Sequence, residues 1–446
     1  MYNVPEIIKQ SLPIIKDVTN NVDDLAILNC LNAKFANMIT QKNILFRQYS
    51  NSSPRTLSYY AMNFQPSGSS KDYVVDCINE YLMPFIEQEL KSKIEQYKDT
   101  FELKHPELNA KQVREELAKI RPENFEIANC TFTGFYKEAF QLDQLGFGAI
   151  CIRISELGDF LSMAQSGDKG KVELFSKMKE IYEGDVMPSI ISGDTSRKKL
   201  KGINIQVVMY TDYENLFAES VKEYFLALLR TGLARRCYVF IPDNETKLDY
   251  VITAEEKERQ FEKARIIQQD IKRIYDSITP DTIYSLSEES KQMLVDYQNS
   301  CIDYFNNSKD NMIVKLEKLN SFWKITKLAV VYSVIDNPTS IVVGAKYVQM
   351  AIDFYKAISP SLKKVIEKRK KSEIELYAEH IANHKDEIIT RTDLRNLNIV
   401  NGNKFKKFFE EHFDEIKEEL EANYSLLLYP YEGGNKSLKA YQCVKK

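Results

Sequence analysis

Lys71 is the residue from which a chemistry can be built. It lies in PSGSSKD (66–72), a run of small residues followed by one lysine and a helix-patterned stretch. Small residues let main-chain N–H groups turn inward onto phosphate oxygens, and a lysine supplies positive charge to the β- and γ-phosphates. Ser67, Gly68, Ser69, Ser70, Lys71 and Asp72 are therefore the candidate nucleotide-binding residues, with Gly68 making the tight turn. Ser70 stands where a glycine usually precedes the lysine, and Asp72 replaces the Ser/Thr that usually touches Mg²⁺. A carboxylate suits that cation, which makes Asp72 the candidate metal ligand. The plainer alternative is a small-residue loop that only caps a helix.

A phosphate loop needs a group to position the attacking water. AICIRISELGDF (149–160) is an apolar run that ends in Glu156, where a carboxylate would reach the phosphates from a strand end. Ser155 takes the place of the aspartate expected before it. A plain surface carboxylate is the alternative for Glu156. INIQVVMYTDYENL (203–216) carries Thr211 at its strand end, a hydroxyl suited to sensing a γ-phosphate. LLRTGLARRCYVF (228–240) brings Arg235 and Arg236 to the start of another apolar run. An arginine supplied across a subunit interface can stabilise transition-state charge, and an arginine paired with a nearby carboxylate is the alternative.

Two basic clusters suit a nucleic-acid backbone. Arg197, Lys198, Lys199 and Lys201 sit together in SGDTSRKKLKG, and Lys404, Lys406 and Lys407 open a helix expected over 403–419. A solvated charge run is the alternative for the first. For the second, Glu410, Glu411, Asp414, Glu415, Glu418 and Glu419 follow on the same expected helix and would repel a duplex, so a protein contact stays open.

The positioning elements follow from periodicity. Apolar runs at 57–64, 148–154, 203–210 and 236–241 read as buried strands separated by helical pattern, which predicts a mainly parallel sheet covered on both faces. A long helix is expected from Lys71 to about Lys104, and 254–371 is helix-patterned with breaks near Pro280, Pro338 and Pro360. The last 75 or so residues read as three helices and a hairpin around Gly433 and Gly434, the order of a winged helix, with Thr390 and Thr392 placed to cap a short helix. The expected organisation is a helical lead-in over 1–50, a core over 51–250, a helical region over 251–371 and a winged-helix-like domain over 372–446.

Composition bounds the rest. With 43% hydrophobic and 28% charged residues, the chain has the balance of an ordinary folded protein. A net charge of −3 argues against a uniformly basic nucleic-acid coat while leaving room for a local basic groove. Seven scattered cysteines without a CxxC pair read as reduced thiols. His380 and His384 have helix-face spacing, but Ile381 stands where a zinc protease would carry its glutamate. No secretory signal and no run of about 18 apolar residues is visible, so a cytoplasmic location without membrane contact is expected.

The order of these segments resembles the helicase domain of phage and bacterial primase–helicase proteins, whose members are RecA-like P-loop ATPases. The resemblance covers about residues 22–355. It runs through DLAILNCLNAKF, PSGSSKD, ANCTFTGFYKEAF (with Thr131, Gly134 and Phe135), IRISELGDF, MYTDYENL and GLARRCYVF, where the family's arginine falls on Arg236. It implies an ATP- and Mg²⁺-dependent helicase-like motor, hexameric, acting on single-stranded DNA in replication of a phage or mobile element. A separate primase would be its partner, and the host bacterium's cytoplasm its location. The altered Ser70, Asp72 and Ser155 keep a degenerate pseudo-ATPase open, forming a structural ring or a DNA- or partner-binding adaptor. A third reading is a transcription regulator that works through the winged helix.

Overall fold

The computed structural model of the protein describes residues 2–21, 23–66, 68–117, 125–128, 130–183, 191–192, 195–196, 203–212, 219–233, 235–242, 253–367, 373–384, 387–397, 399–424, 426–430 and 440–445. In chain order its strands are β1 (Leu45–Arg47), β2 (Tyr59–Phe64), β3 (Glu126–Ala128), β4 (Ala149–Ile154), β5 (Ile191–Ser192), β6 (Thr195–Ser196), β7 (Asn204–Thr211), β8 (Cys237–Phe240), β9 (Ile283–Leu286), β10 (Val342–Val343), β11 (Ile388–Thr390), β12 (Leu426–Pro430) and β13 (Ala440–Lys445).

The four apolar runs form strands as expected, and they lie side by side. The central sheet has the order β3-β4-β7-β2-β8, and every pairing in it is parallel. Each residue of β2 and β7 is buried, as strands covered on both faces require. The register pairs Phe64 with Thr211 and Ile154 with Met209, so β2, β4 and β7 end at nearly the same level.

Helix Asp24–Thr40 lies against this sheet and is buried along nearly its whole circumference. Its central Asn29 is satisfied there. Asn29 donates to the Asn63 side chain at 2.9 Å and to the Tyr238 carbonyl at 3.0 Å, and accepts from the Tyr59 hydroxyl at 2.8 Å. Helix Met312–Asp336 is likewise buried nearly all round. The segments read as a lead-in and a helical region thus share one hydrophobic core with the sheet, and Met1–Glu367 is one compact unit.

Several elements differ from the expectation. The helix after the loop is not continuous to Lys104. Helix Tyr73–Cys77 passes into a π-turn over Ile78–Leu82, and a new helix starts at Pro84, which has no N–H to continue the previous one. A second parallel sheet, β1-β9-β10, joins segments expected to be helical, with the alternating burial of β9 facing its core. Its strands are too short to show a period. The proline breaks hold: helices end at Ser277 and Asp336, and Pro360 opens a helix, where its missing N–H costs nothing. Thr131 caps helix Phe132–Gln144 by accepting from Gly134 N at 3.3 Å.

Lys368–Lys446 is the second unit. It runs helix Glu373–Asn383, β11, helix Arg391–Asn396, helices Gly402–Glu411 and Phe413–Tyr424, then β12 and β13, in an antiparallel sheet of order β11-β13-β12. Thr390 and Asp393 form a reciprocal capping box. The single helix expected over 403–419 is two, broken at His412 (φ −107°, ψ 13°), whose ring bonds the Glu415 carboxylate at 3.0 Å. The break lets Phe409 and Phe413 both pack on Tyr441, with ring centroids 5.6 and 5.0 Å away. Gly433 and Gly434 lie outside the described residues. Among the described residues, no helix is long and apolar enough to cross a membrane.

Candidate functional site

The loop after β2 begins where Gln65 N donates to the Thr211 carbonyl at 3.1 Å. Ser67 lies outside the described residues. Gly68 has φ +80° and Ser70 has φ +56°, so both adopt the left-handed conformation, the second without a glycine's freedom. Ser69 N bonds the Pro66 carbonyl at 3.3 Å and Tyr73 N bonds the Ser70 carbonyl at 3.1 Å. Among the described residues, no backbone carbonyl accepts from the N–H groups of Gly68, Ser70, Lys71 or Asp72. The Ser69 hydroxyl and one Asp72 carboxylate oxygen are buried without a hydrogen-bond partner. Such a set of donors and open polar atoms suits an anion and its counter-cation.

Lys71 is the loop's fixed charge. Its side chain is only 5% exposed, and its ammonium stands 3.4 Å from Glu156 Oε1. Glu156 follows β4, while Lys71 follows β2, and β7 lies between those strands. Thr211, at the end of β7, is buried beside them, its hydroxyl donating to the Asp212 carbonyl at 3.1 Å. Strand ends in a parallel sheet are where ligands bind such folds. The sheet thus brings Lys71, Asp72, Glu156 and Thr211 to one end.

Burial pushes the Glu156 carboxyl above its ordinary range, and Lys71 only partly offsets this. Asp72 is raised for the same reason, against the pull of Lys71 and Arg153. One carboxylate together with phosphate oxygens and water fits the oxygen shell of Mg²⁺, and Asp72 offers that carboxylate. Among the described residues, no group of three or more His, Cys, Asp or Glu side chains is placed to hold a metal on its own.

Sequence reasoning missed Arg153. Its guanidinium contacts both Asp76 oxygens at 2.5 and 3.1 Å and donates to the Asp72 carbonyl at 2.5 Å. Glu126 lies 3.4 Å from it and also pairs with Lys34 at 3.0 Å. Burial would push Glu126 up, but Lys34 and Arg153 outweigh that and hold its carboxyl below the usual range. Beyond this network a cavity of about 640 Å³ opens, lined in part by Lys34, Glu126, Arg153 and Ser155. The available signal was the lone charge inside the apolar run AICIRI.

Arg236 is not brought to the loop. It precedes β8, whose Cys237 pairs with Tyr60, so it sits at the other end of the sheet, about 16 Å of strand away. There it bonds Glu183 at 3.1 Å and the Gly232 carbonyl at 3.0 Å, the carboxylate pairing that was the alternative. Arg235 beside it is half-buried. Arg197, Lys198, Lys199 and Lys201 lie outside the described residues, next to the antiparallel pair β5-β6.

In the second unit Lys404, Lys406 and Lys407 are exposed on helix Gly402–Glu411, opposite buried Phe405 and Phe409. Because that helix ends at Glu411, Asp414, Glu415, Glu418 and Glu419 belong to the next helix, and only Glu410 and Glu411 share the lysines' helix. Compared with known protein families and with curated proteins, the chain matches none.

Proposed function

We propose that the protein is an ATP hydrolase in which Lys71 and the loop N–H groups hold the β- and γ-phosphates and Glu156 activates the attacking water. The single observation that carries this reading is the ion pair between buried Lys71 and partly exposed Glu156 at the C-terminal ends of two parallel strands. Two loops far apart in sequence supply a phosphate-binding cation and a carboxylate within one contact, with a threonine hydroxyl between their strands. The strand order, with one strand inserted between those of Lys71 and Glu156, is compatible with a RecA-like core.

The chemistry follows from the pair. A triphosphate entering the loop gives the Lys71 ammonium a more highly charged partner and releases Glu156 to take a proton from water. The open Asp72 oxygen and the phosphate oxygens would hold Mg²⁺. The Thr211 hydroxyl reports the γ-phosphate. Arg236 would serve a neighbouring subunit only after leaving Glu183.

Turnover is coupled to single-stranded DNA in this reading, in a ring-forming replication motor. The exposed lysines of helix Gly402–Glu411 support a nucleic-acid contact, and a helix–strand–helices–hairpin order with sheet β11-β13-β12 supports a winged-helix domain. One observation favours a second reading, an ATP-binding scaffold without fast turnover: Ser155 stands where an aspartate that helps hold the metal would precede Glu156. ATP turnover with and without single-stranded DNA, alongside Lys71→Ala, tests the proposal, and nucleotide binding without turnover would select the scaffold.

A further inference from the structure

The strand that leads to Glu156 also carries a cation, Arg153, whose contacts fasten it to the phosphate loop. Arg153 lies in β4, three residues before Glu156, and its side chain is 13% exposed. Its contacts are directional. Two nitrogens grip the Asp76 carboxylate, one of them also reaches the Asp72 main-chain carbonyl, and the other touches Glu126 at 3.4 Å. Asp72 ends the phosphate loop, and Asp76 lies in the first turn of the helix that follows it. Glu126 is in turn held by Lys34 at 3.0 Å and Asn79 at 3.3 Å, so the guanidinium is braced from behind.

A flat, forked guanidinium can make these contacts together, whereas an ammonium on a flexible stem makes them only in part. The loop that carries Lys71 is therefore fastened at its exit to the strand that leads to Glu156. The fastening does not run through the Lys71–Glu156 pair, so it persists when a triphosphate separates that pair.

We propose that Arg153 is a positioning residue that latches the exit of the phosphate loop to β4 and so sets the spacing between bound phosphate and Glu156. This rests on the hydrolytic role given to Glu156 above. A displacement of about 1 Å at a reacting centre can cost on the order of a hundredfold in rate, with less effect on binding. Loss of the latch should accordingly act on kcat far more than on nucleotide affinity.

The test has two parts, made on the full chain with Arg153→Met, Arg153→Lys and Asp76→Asn. Asp76 is half-exposed, so its variant removes the charge and one acceptor oxygen from the grip with little risk to folding. In the nucleotide-free proteins, hydrogen exchange is followed for a peptide spanning 68–77, with helix Met312–Asp336 as the fold control. The expected result is exchange at least tenfold faster over 68–77 in Arg153→Met and Asp76→Asn, a smaller change in Arg153→Lys, and no change in the control helix. With ATP, kcat should fall about tenfold to a hundredfold while the Kd of a fluorescent ATP analogue moves by no more than about threefold, and Arg153→Lys should recover part of the rate.

Unchanged exchange over 68–77 in folded Arg153→Met and Asp76→Asn proteins overturns the latch. Equal losses in affinity and rate overturn the positioning role. If the unaltered protein does not turn over ATP while exchange still quickens in the variants, the latch stands and the hydrolytic reading falls.

Discussion

The Lys71 ammonium and the Glu156 carboxylate face each other at 3.4 Å across the end of β7, each supplied by a different strand. A buried lysine is costly without a counter-charge, so without nucleotide Glu156 serves as that counter-charge. Nucleotide then substitutes for Glu156. Replacing Glu156 with glutamine removes both a competitor for Lys71 and the base. Glu156→Gln should bind ATP at least as tightly as the unaltered protein and turn it over at least a hundredfold more slowly, read by equilibrium binding and steady-state phosphate release. Normal turnover would remove Glu156 from the catalytic role.

The pH dependence follows from the burial that raises the Glu156 carboxyl. A general base works only when ionised, and the ionised fraction grows as pH rises through its folded pKa. That value lies above the ordinary 4.5, and it rises further once ATP draws Lys71 away. The acid limb of kcat should therefore lie above pH 4.5, and it should be absent from the residual activity of Glu156→Gln.

Ser70 adopts a glycine's conformation without being one, with φ +56°. A side chain in that region costs about 1–2 kcal/mol. Ser70→Gly should stabilise the folded protein by about 1 kcal/mol in urea titration, offset in part by the greater freedom glycine gives the unfolded chain. ATP binding should be retained, because the loop keeps its path.

Lys327 gives a separate handle on stability. Its ammonium donates to the Tyr182 carbonyl and sits 3.6 Å from the centre of that ring, and burial pushes it down to about 7. The unfolded chain keeps the proton to about 10.4. Between these values the unfolded state binds more protons, so stability rises with pH. Buried Cys30, Cys77, Cys130, Cys151 and Cys237 are pushed up to about 12 and act in the opposite direction once unfolded thiols ionise near pH 8.5. Between pH 6.5 and 8.0, urea unfolding should show the unaltered protein gaining about 1 kcal/mol relative to Lys327→Met, in which only the thiols' opposing effect remains.

What could be read in advance follows from how each feature is encoded. Buried parallel strands write themselves as long apolar runs, so β2, β4, β7 and β8 were visible, and so was the small-residue loop with Lys71 at its end. That Lys71 and Glu156 would touch was not, because strand order is a tertiary property that no local pattern carries. Arg153 was passed over for the same reason: its partners, Asp76 and Glu126, arrive from other elements. The strands β1, β9 and β10 are too short for any period, and the break at His412 is made by aromatic packing on Tyr441 rather than by a proline or glycine. Arg236 shows the converse. A residue chosen by its order along the chain lies at the opposite end of its own sheet from Lys71, where it pairs with Glu183, so only a role across a subunit interface stays open to it.

The most direct test of the central claim is the steady-state rate of ATP hydrolysis by the purified protein, with and without single-stranded DNA, measured beside Lys71→Ala. The account predicts turnover that rises with DNA and is abolished in Lys71→Ala while that variant keeps its folded stability. Hydrolysis that persists undiminished in folded Lys71→Ala would contradict it.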